Sequence, residues 1–364
     1  METLFDYLIK TDNIDLEHSS LNEIDIAIFC ILSYLPWDYI VAPPYKNKEI
    51  FLMEAIQKFN NWNYSSPFRM WKDQQLIDLL KQSNRYQTVT MSNYVNHYDS
   101  KSETQFSALS FHLPNNQSVI AFRGTDDTLV GWKEDFNMSF EYPIKAQEEA
   151  LEYLNHILPT RNEDIIIAGH SKGGNLAIYS SVFTTPENKI KIKSIYNFDG
   201  PGFLEQITST KEYQSMAQQM ITFVPESSIV GMLLEQTETY TIIKSYQLGI
   251  LQHSLYSWVI SGNQFIKLKK ITKNSMYINQ TLKEWIHSLT KEEREQLIDS
   301  LYQIFEKTGA TTIQELTSNW VQNSRIIIEQ LHDMDETTKQ FLLQTMIELF
   351  KISKKNLTLY LNND

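Results

Sequence analysis

The sequence predicts an α/β fold, with a mostly parallel central sheet flanked by helices, a helical segment before it and a helical extension after it. Three observations predict this. Strand-like and helix-like stretches alternate between residues 86 and 272, while the stretches on either side have helical periodicity only. Alternation of this kind favours a parallel sheet covered on both faces. The third observation is a continuous apolar stretch, Asp164–Ala168, that passes through a glycine-rich turn straight into an amphipathic stretch, Lys172–Phe183. The expected organisation is a helical segment over 1–85, an α/β core over 86–272 and a helical extension over 273–364.

Composition agrees with a large folded core. The chain has 364 residues, of which 42% are hydrophobic and 21% charged. Eighteen Phe, 19 Tyr and 7 Trp are too many for a solvated coil. Lys and Arg number 32 against 44 Asp and Glu, a formal charge of −12, with no long basic run. That balance argues against nucleic acid as a partner. A single cysteine, Cys30, sits among Ile28, Phe29, Ile31 and Leu32 and reads as a core filler. One thiol makes neither an internal disulfide nor a multi-thiolate metal site. The N-terminus has acidic residues where a secretion signal has basic ones. The most apolar window, Ile24–Trp37, is interrupted by Asp25 and Ser33 and falls short of the roughly 20 residues of a membrane span. A cytoplasmic chain without an integral span is expected.

Taken in order, Ser20-Leu21-Asn22-Glu23 reads as a capping box opening a helix over 22–35. Ile50–Asn60 and Arg69–Gln82 read as two further helices. Val89–Tyr98, Thr104–Leu113 and Ser118–Arg123 are rich in β-branched and aromatic residues and are separated by turn residues, so they read as successive strands. Then follow a helix over 144–158, a strand over 164–168, a helix over 172–183 and a strand over 192–198. A helix over 203–219, a strand over 221–224 and a last strand over 239–246 complete the core. Helices are expected over 281–289, 291–308, 312–331 and 335–360.

The chemistry lies in Gly169-His170-Ser171-Lys172-Gly173-Gly174. A strand feeding Gly-x-Ser-x-Gly at the start of a helix is the setting of a nucleophile elbow. The turn is tight, so the residues two before and two after the serine must lack side chains. The Lys172 N–H opens the helix and points where an oxyanion would form. Upstream, Val119–Phe122 runs into Arg123-Gly124-Thr125-Asp126-Asp127. Such a loop supplies the second oxyanion donor in this type of site, and Thr125 offers both an N–H and a hydroxyl. Arg123 reads as a structural partner of Asp126, Asp127 or Asp135.

A hydroxyl nucleophile needs a base. In this fold the order is serine, acid, histidine. Of eight histidines, His253, His287 and His332 follow Ser171. The last two fall in the charged extension, whereas His253 follows the last strand-like segment, so His253 is the expected base. His170 reads as a packing residue directed away from the reaction. Two carboxylates suit the acid. Asp199 ends a strand before Gly200-Pro201-Gly202, and Glu226 follows the next strand. Asp199, with the shorter side chain and the more constrained turn, is favoured, and Glu226 stays open.

Five blocks in order carry a resemblance: Phe122-Arg123-Gly124-Thr125, Gly169 to Asn175, Asn197 to Gly202, Ser228 to Leu234, and Gln252 to Trp258. Together they resemble the bacterial Mbeg1-like family of the α/β-hydrolase superfamily, which is similar to the class 3 lipases. The resemblance spans about residues 20–350. It implies an α/β-hydrolase fold with Ser171 as nucleophile, His253 as base, and Thr125 with Lys172 as oxyanion donors. In class 3 lipases the acid is an aspartate in a segment resembling 224–231, where this chain has Glu226 and two serines.

The expected activity is hydrolysis of carboxylic esters through an acyl-enzyme, on a small-molecule or lipid ester. The chemistry calls for no metal or organic cofactor. The apolar stretch Ile229–Leu234 reads as core, with an acyl pocket or lid as its functional alternative. The rival reading from another class is a catalytically silent binding or scaffold protein whose helical extension meets a protein partner.

Overall fold

The computed structural model describes residues 1–59, 67–126, 128–312, 315–316 and 320–361. The end of the helix expected through Asn60, residue Asp127, and residues 313–314 and 317–319 of the helix expected over 312–331 lie outside them.

A nine-stranded sheet runs β1-β2-β3-β4-β5-β6-β7-β8-β11. Its strands are β1 (Ile50–Phe51), β2 (Thr90–Asp99), β3 (Thr104–Leu113), β4 (Gln117–Phe122) and β5 (Asp164–His170). They continue with β6 (Ile192–Phe198), β7 (Met220–Pro225), β8 (Tyr240–Ile243) and β11 (Lys267–Leu268). Strands β4 to β8 are mutually parallel. The two flanks pair antiparallel. A hairpin, β9 (Ile260–Ser261) and β10 (Gln264–Phe265), stands apart. This is the expected α/β architecture: a mixed, mostly parallel sheet with helices on both faces.

Alternation along each strand creates the layers. Val119, Ala121, Ile166 and Ala168 face a core shared with α1 (Leu4–Thr11), α2 (Glu23–Leu32), α3 (Leu52–Lys58) and α4 (Pro67–Leu80). Ile120, Phe122, Ile165 and Ile167 face the other core, shared with α6 (Lys145–Ile157) and α7 (Lys172–Phe183). Both faces of β4 and β5 are apolar because both are covered. Cys30 is fully buried in the first core, and burial raises its thiol pKa far above the ordinary range.

Four expectations are corrected. The capping box of α2 joins Asn22 to Asp25, two residues later than expected. Asp25 is fully buried and binds Tyr7, Arg85 and Tyr86, which fixes the helix start there. After the short helix α8 (Pro186–Lys189), the stretch 203–219 breaks into Glu205–Thr208 (α9), Lys211–Met216 (α10) and a 3₁₀ turn, with the Thr210 hydroxyl capping the second piece. Thr208-Ser209-Thr210 competes for backbone hydrogen bonds, and a continuous helix does not form. The first helix of the extension starts at Lys273, capped by Thr272, and not at 281 as expected. A helix that the periodicity did not signal, α5 (Leu129–Asn137), follows β4. It is short and carries Gly131, so its helical propensity is weak, and Thr128 caps it.

The extension comprises α11 (Lys273–Ser288), α12 (Lys291–Glu306), α13 (Trp320–Asp333) and α14 (Glu336–Leu361). A small core of Leu289, Leu297, Ile304 and Leu342 joins them. They also grip the sheet region. Lys133 of α5 pairs with Asp299 of α12 at 2.8 Å, and Ser275 and Asn279 of α11 both donate to the Ser228 carbonyl. Among the described residues no helix is long and apolar enough to cross a membrane.

Candidate active site

Parallel strands end along one edge of a sheet, and loops leaving that edge converge. Here the Arg123-Gly124-Thr125 loop leaves β4, Ser171 follows β5, Asp199 follows β6 and the 226–231 loop follows β7. His253 closes a 3₁₀ turn, Gly249–His253, beyond β8.

Ser171 has φ 59° and ψ −135°, between the end of β5 and the start of α7. A non-glycine residue there costs about 1–3 kcal/mol, which the surroundings must offset. They do so by close approach. A side chain at Gly169 would lie 2.0 Å from the Gly173 carbonyl oxygen, and one at Gly173 would lie 2.1 Å from the Phe122 oxygen. The Ser171 N–H donates to Phe198 O at 3.0 Å, and Ser171 O accepts from Gly174 N–H at 2.8 Å. The turn is thereby bolted to strands on both sides. Among the described residues the Ser171 hydroxyl makes no hydrogen bond, one to His253 included. Such bonds commonly tighten only when substrate is bound.

Asp199 is fully buried, and its φ of 53° turns the chain sharply after β6. Its Oδ1 accepts from Ser228 Oγ at 2.5 Å and from Gly231 N–H at 3.2 Å. Its Oδ2 lies 2.6 Å from His253 Nδ1. A carboxylate only accepts, so Nδ1 carries the proton and Nε2 keeps a lone pair. Of the two carboxylates the sequence leaves open, Asp199 is the one bonded to His253. Glu226 instead uses its backbone, donating to Ile243 O and accepting from Thr272 N–H. His287 and His332 are exposed on the extension.

The expected oxyanion donors have a support that the sequence reading missed. Lys172 is buried, and its Nζ donates to Glu134 Oε2 at 2.6 Å and to Gln105 O at 3.0 Å. Glu134 also accepts from the N–H groups of Gln105 and Ala146. The Thr125 hydroxyl lies 2.6 Å from both oxygens of Asp135. Its proton is committed to that carboxylate, so the N–H of Thr125 is the donor left for an oxyanion. The Lys172 N–H, in the first turn of α7, has no intrahelical acceptor. Asp135 sits deep between protein walls, although a quarter of its side chain reaches water. Burial lifts its pKa to about 6, and Lys172, with Nζ 3.9 Å away, limits the rise.

Three further expectations are corrected. Arg123 makes no ion pair with Asp126 or Asp135 among the described residues, and its buried Nε has no hydrogen-bond partner. His170 does not point idly away, because both its ring nitrogens are hydrogen-bonded. Of the Ile229–Leu234 stretch only Gly231, which donates to Asp199, is buried; Ile229, Val230, Met232 and Leu233 are half-buried, and Leu234 packs against the second core, so the stretch is not a plain core segment. Glu134 and Asp135 had one usable signal in the sequence. A lysine in the first turn of a buried helix requires an acidic partner, but the sequence does not say which of 44 acids it is.

A model of the Mbeg1-like family matches residues 80–303 of the chain. Among solved structures, a crystal structure of M37 lipase is similar at 16% identity, covering 59% of this chain and 70% of that one with a TM-score of 0.37. No curated protein matches the chain.

Proposed function

The chain belongs to the Mbeg1-like family, and on that premise we propose that it is a serine hydrolase of carboxylic esters working through an acyl-enzyme. The observation that carries the reading is a serine strained to φ 59° at the sheet edge where an Asp199-bound imidazole also stands.

In the proposed reaction Ser171 Oγ attacks the ester carbonyl carbon while its proton passes to His253 Nε2. The carbonyl electrons move to oxygen, which accepts from the N–H groups of Lys172 and Thr125. Collapse breaks the bond to the alkoxy oxygen, and His253 returns the proton to the leaving alcohol. Water, activated by the same nitrogen, then releases the acid. Asp199 holds the imidazole with Nδ1 protonated throughout. The exposed Leu248, Ile250 and Leu251, on the turn leading into His253, support a hydrophobic ester. The charge of −12 argues against docking on an anionic lipid surface.

The exposed Leu343, Met346, Ile347 and Phe350 on α14 favour a second reading, a binding or scaffold protein that uses this face. A fluorophosphonate probe separates the two. Hydrolysis predicts covalent labelling at Ser171, detected by mass spectrometry, abolished in Ser171→Ala and slowed at least about 1,000-fold in His253→Ala. A folded wild-type protein that takes no label sinks the hydrolase. A panel of short- and long-chain p-nitrophenyl esters then ranks acyl length.

A further inference from the structure

His170, the residue ahead of the nucleophile, joins three separate parts of the chain. Its Nε2 lies 2.7 Å from the backbone carbonyl oxygen of His253. Its Nδ1 lies 2.8 Å from the hydroxyl of Tyr34, in the turn after α2. The His170 and His253 rings lie 4.5 Å apart between centroids with planes inclined by 35°. The Tyr34 hydroxyl also reaches His170 O at 3.3 Å and lies 2.3 Å from where a Cβ on Gly124 would stand.

The hydrogens follow from the partners. A carbonyl oxygen only accepts, so Nε2 carries the proton. In a neutral ring Nδ1 then has a lone pair, which takes the one Tyr34 hydroxyl proton in place of His170 O. One tautomer satisfies both bonds.

The turn that carries His253 needs such an anchor. Leu248 is 82% exposed, Ile250 50% and Leu251 49%, and Gly249 has φ 55°. Little apolar burial holds the turn down. Gln252 fixes one side of it, accepting from Ser227 N–H at 2.8 Å. Asp199 holds the ring of His253, while His170 holds its backbone. With ring and backbone both tied, Nε2 has one direction left. A neutral His170 ring also bears an imidazolium at His253 without the repulsion that a second cation would bring.

We infer that His170 is a positioning residue for the base, a neutral latch between Tyr34 and the His253 carbonyl that sets where His253 Nε2 stands relative to Ser171. The inference rests on the hydrolase reading, so the test reads the latch and the chemistry separately. Protein carrying ¹⁵N-labelled histidine is observed by NMR, and the rate of fluorophosphonate labelling is followed in the same samples. The wild type is expected to hold His170 as the Nε2–H tautomer. His170→Leu is expected to shift the His253 ring signals and to slow labelling about 10- to 100-fold, since an ångström of misplacement costs that much. His170→Gln, whose amide nitrogen reaches toward the same carbonyl, is expected to recover part of both. Tyr34→Phe removes only a hydroxyl and is expected to slow labelling about fivefold; it decides the matter should His170→Leu not fold. An Nδ1–H tautomer at His170, or folded His170→Leu or Tyr34→Phe that label as fast as wild type, overturns the positioning role alone. A wild type with the expected tautomer but no label overturns the hydrolase reading, and the purpose of the latch with it.

Discussion

Two ion pairs in this molecule have the same length and the same burial but different surroundings. Arg85 and Asp25 meet at 2.6 Å with side chains 2% and 0% exposed; Lys172 and Glu134 meet at 2.6 Å with side chains 0% and 2% exposed. Asp25 takes both Nε and Nη2 of Arg85, together with the hydroxyls of Tyr7 and Tyr86. Charge closes there, one acid against one base, and the result ties the N-terminal helices together. At the turn between β5 and α7 Lys172 faces two carboxylates, Glu134 at 2.6 Å and Asp135 at 3.9 Å. One negative charge is left over, and it belongs to the residue holding Thr125. The contrast teaches that burying an ion pair is a way to fix position, and that its neighbours decide whether the position serves packing or chemistry.

The comparison breaks or sharpens under substitution. The largest effect is expected for Lys172→Met, which strands Glu134. Urea unfolding should show a loss of about 3–5 kcal/mol, and on the proposed mechanism Ser171 labelling in the fraction that folds should slow about 100-fold as the proposed oxyanion donors are displaced. Unchanged labelling in folded Lys172→Met makes the two pairs alike after all. Arg85→Met should lose a similar 3–5 kcal/mol by urea unfolding but label at the wild-type rate wherever it is folded. A slowed rate there means that the N-terminal lock also reaches the site.

A smaller effect concerns Asp135. Its folded pKa, lifted to about 6, lies above the 3.8 of an ordinary aspartate. Between these values the folded state holds a proton that the unfolded chain has released. Stability from this group is therefore present below pH 3.8 and is lost as pH rises through about 6. The stability of wild type minus that of Asp135→Asn should fall across this window, by at most about 3 kcal/mol, and stay level above it. A difference that rises with pH means that Lys172 outweighs burial. The smallest effect is expected for Lys145→Ala. Its pair with Glu148 is exposed on both sides, 49% and 44%, so unfolding by urea should not change measurably. A measurable loss there removes the distinction between buried and exposed pairs.

Much of the site was legible because its constraints are local. Gly169 and Gly173 flank Ser171 because backbone from the same turn and from β4 leaves no room for a side chain. Strands β4 and β5 read correctly because both faces are buried and the apolar run is nearly continuous. Helix α5 was missed for the opposite reason. Its nine residues include a glycine, and its order comes from the Thr128 cap and from Lys133 and Glu134 bonding to other segments.

What the sequence determined by itself was the alternation of elements, the strained turn at Ser171 and the short set of residues able to act as base or acid. Each of these is set by neighbours a few positions along the chain. What only the tertiary structure decided was the partnership: Asp199 on His253, Glu134 under Lys172, Asp135 on Thr125, and His170 between Tyr34 and the His253 carbonyl. These bonds join residues from 10 to 136 positions apart. Spacing along a chain carries no information about which distant acceptor a buried donor meets, because that is settled by how the layers close on the sheet.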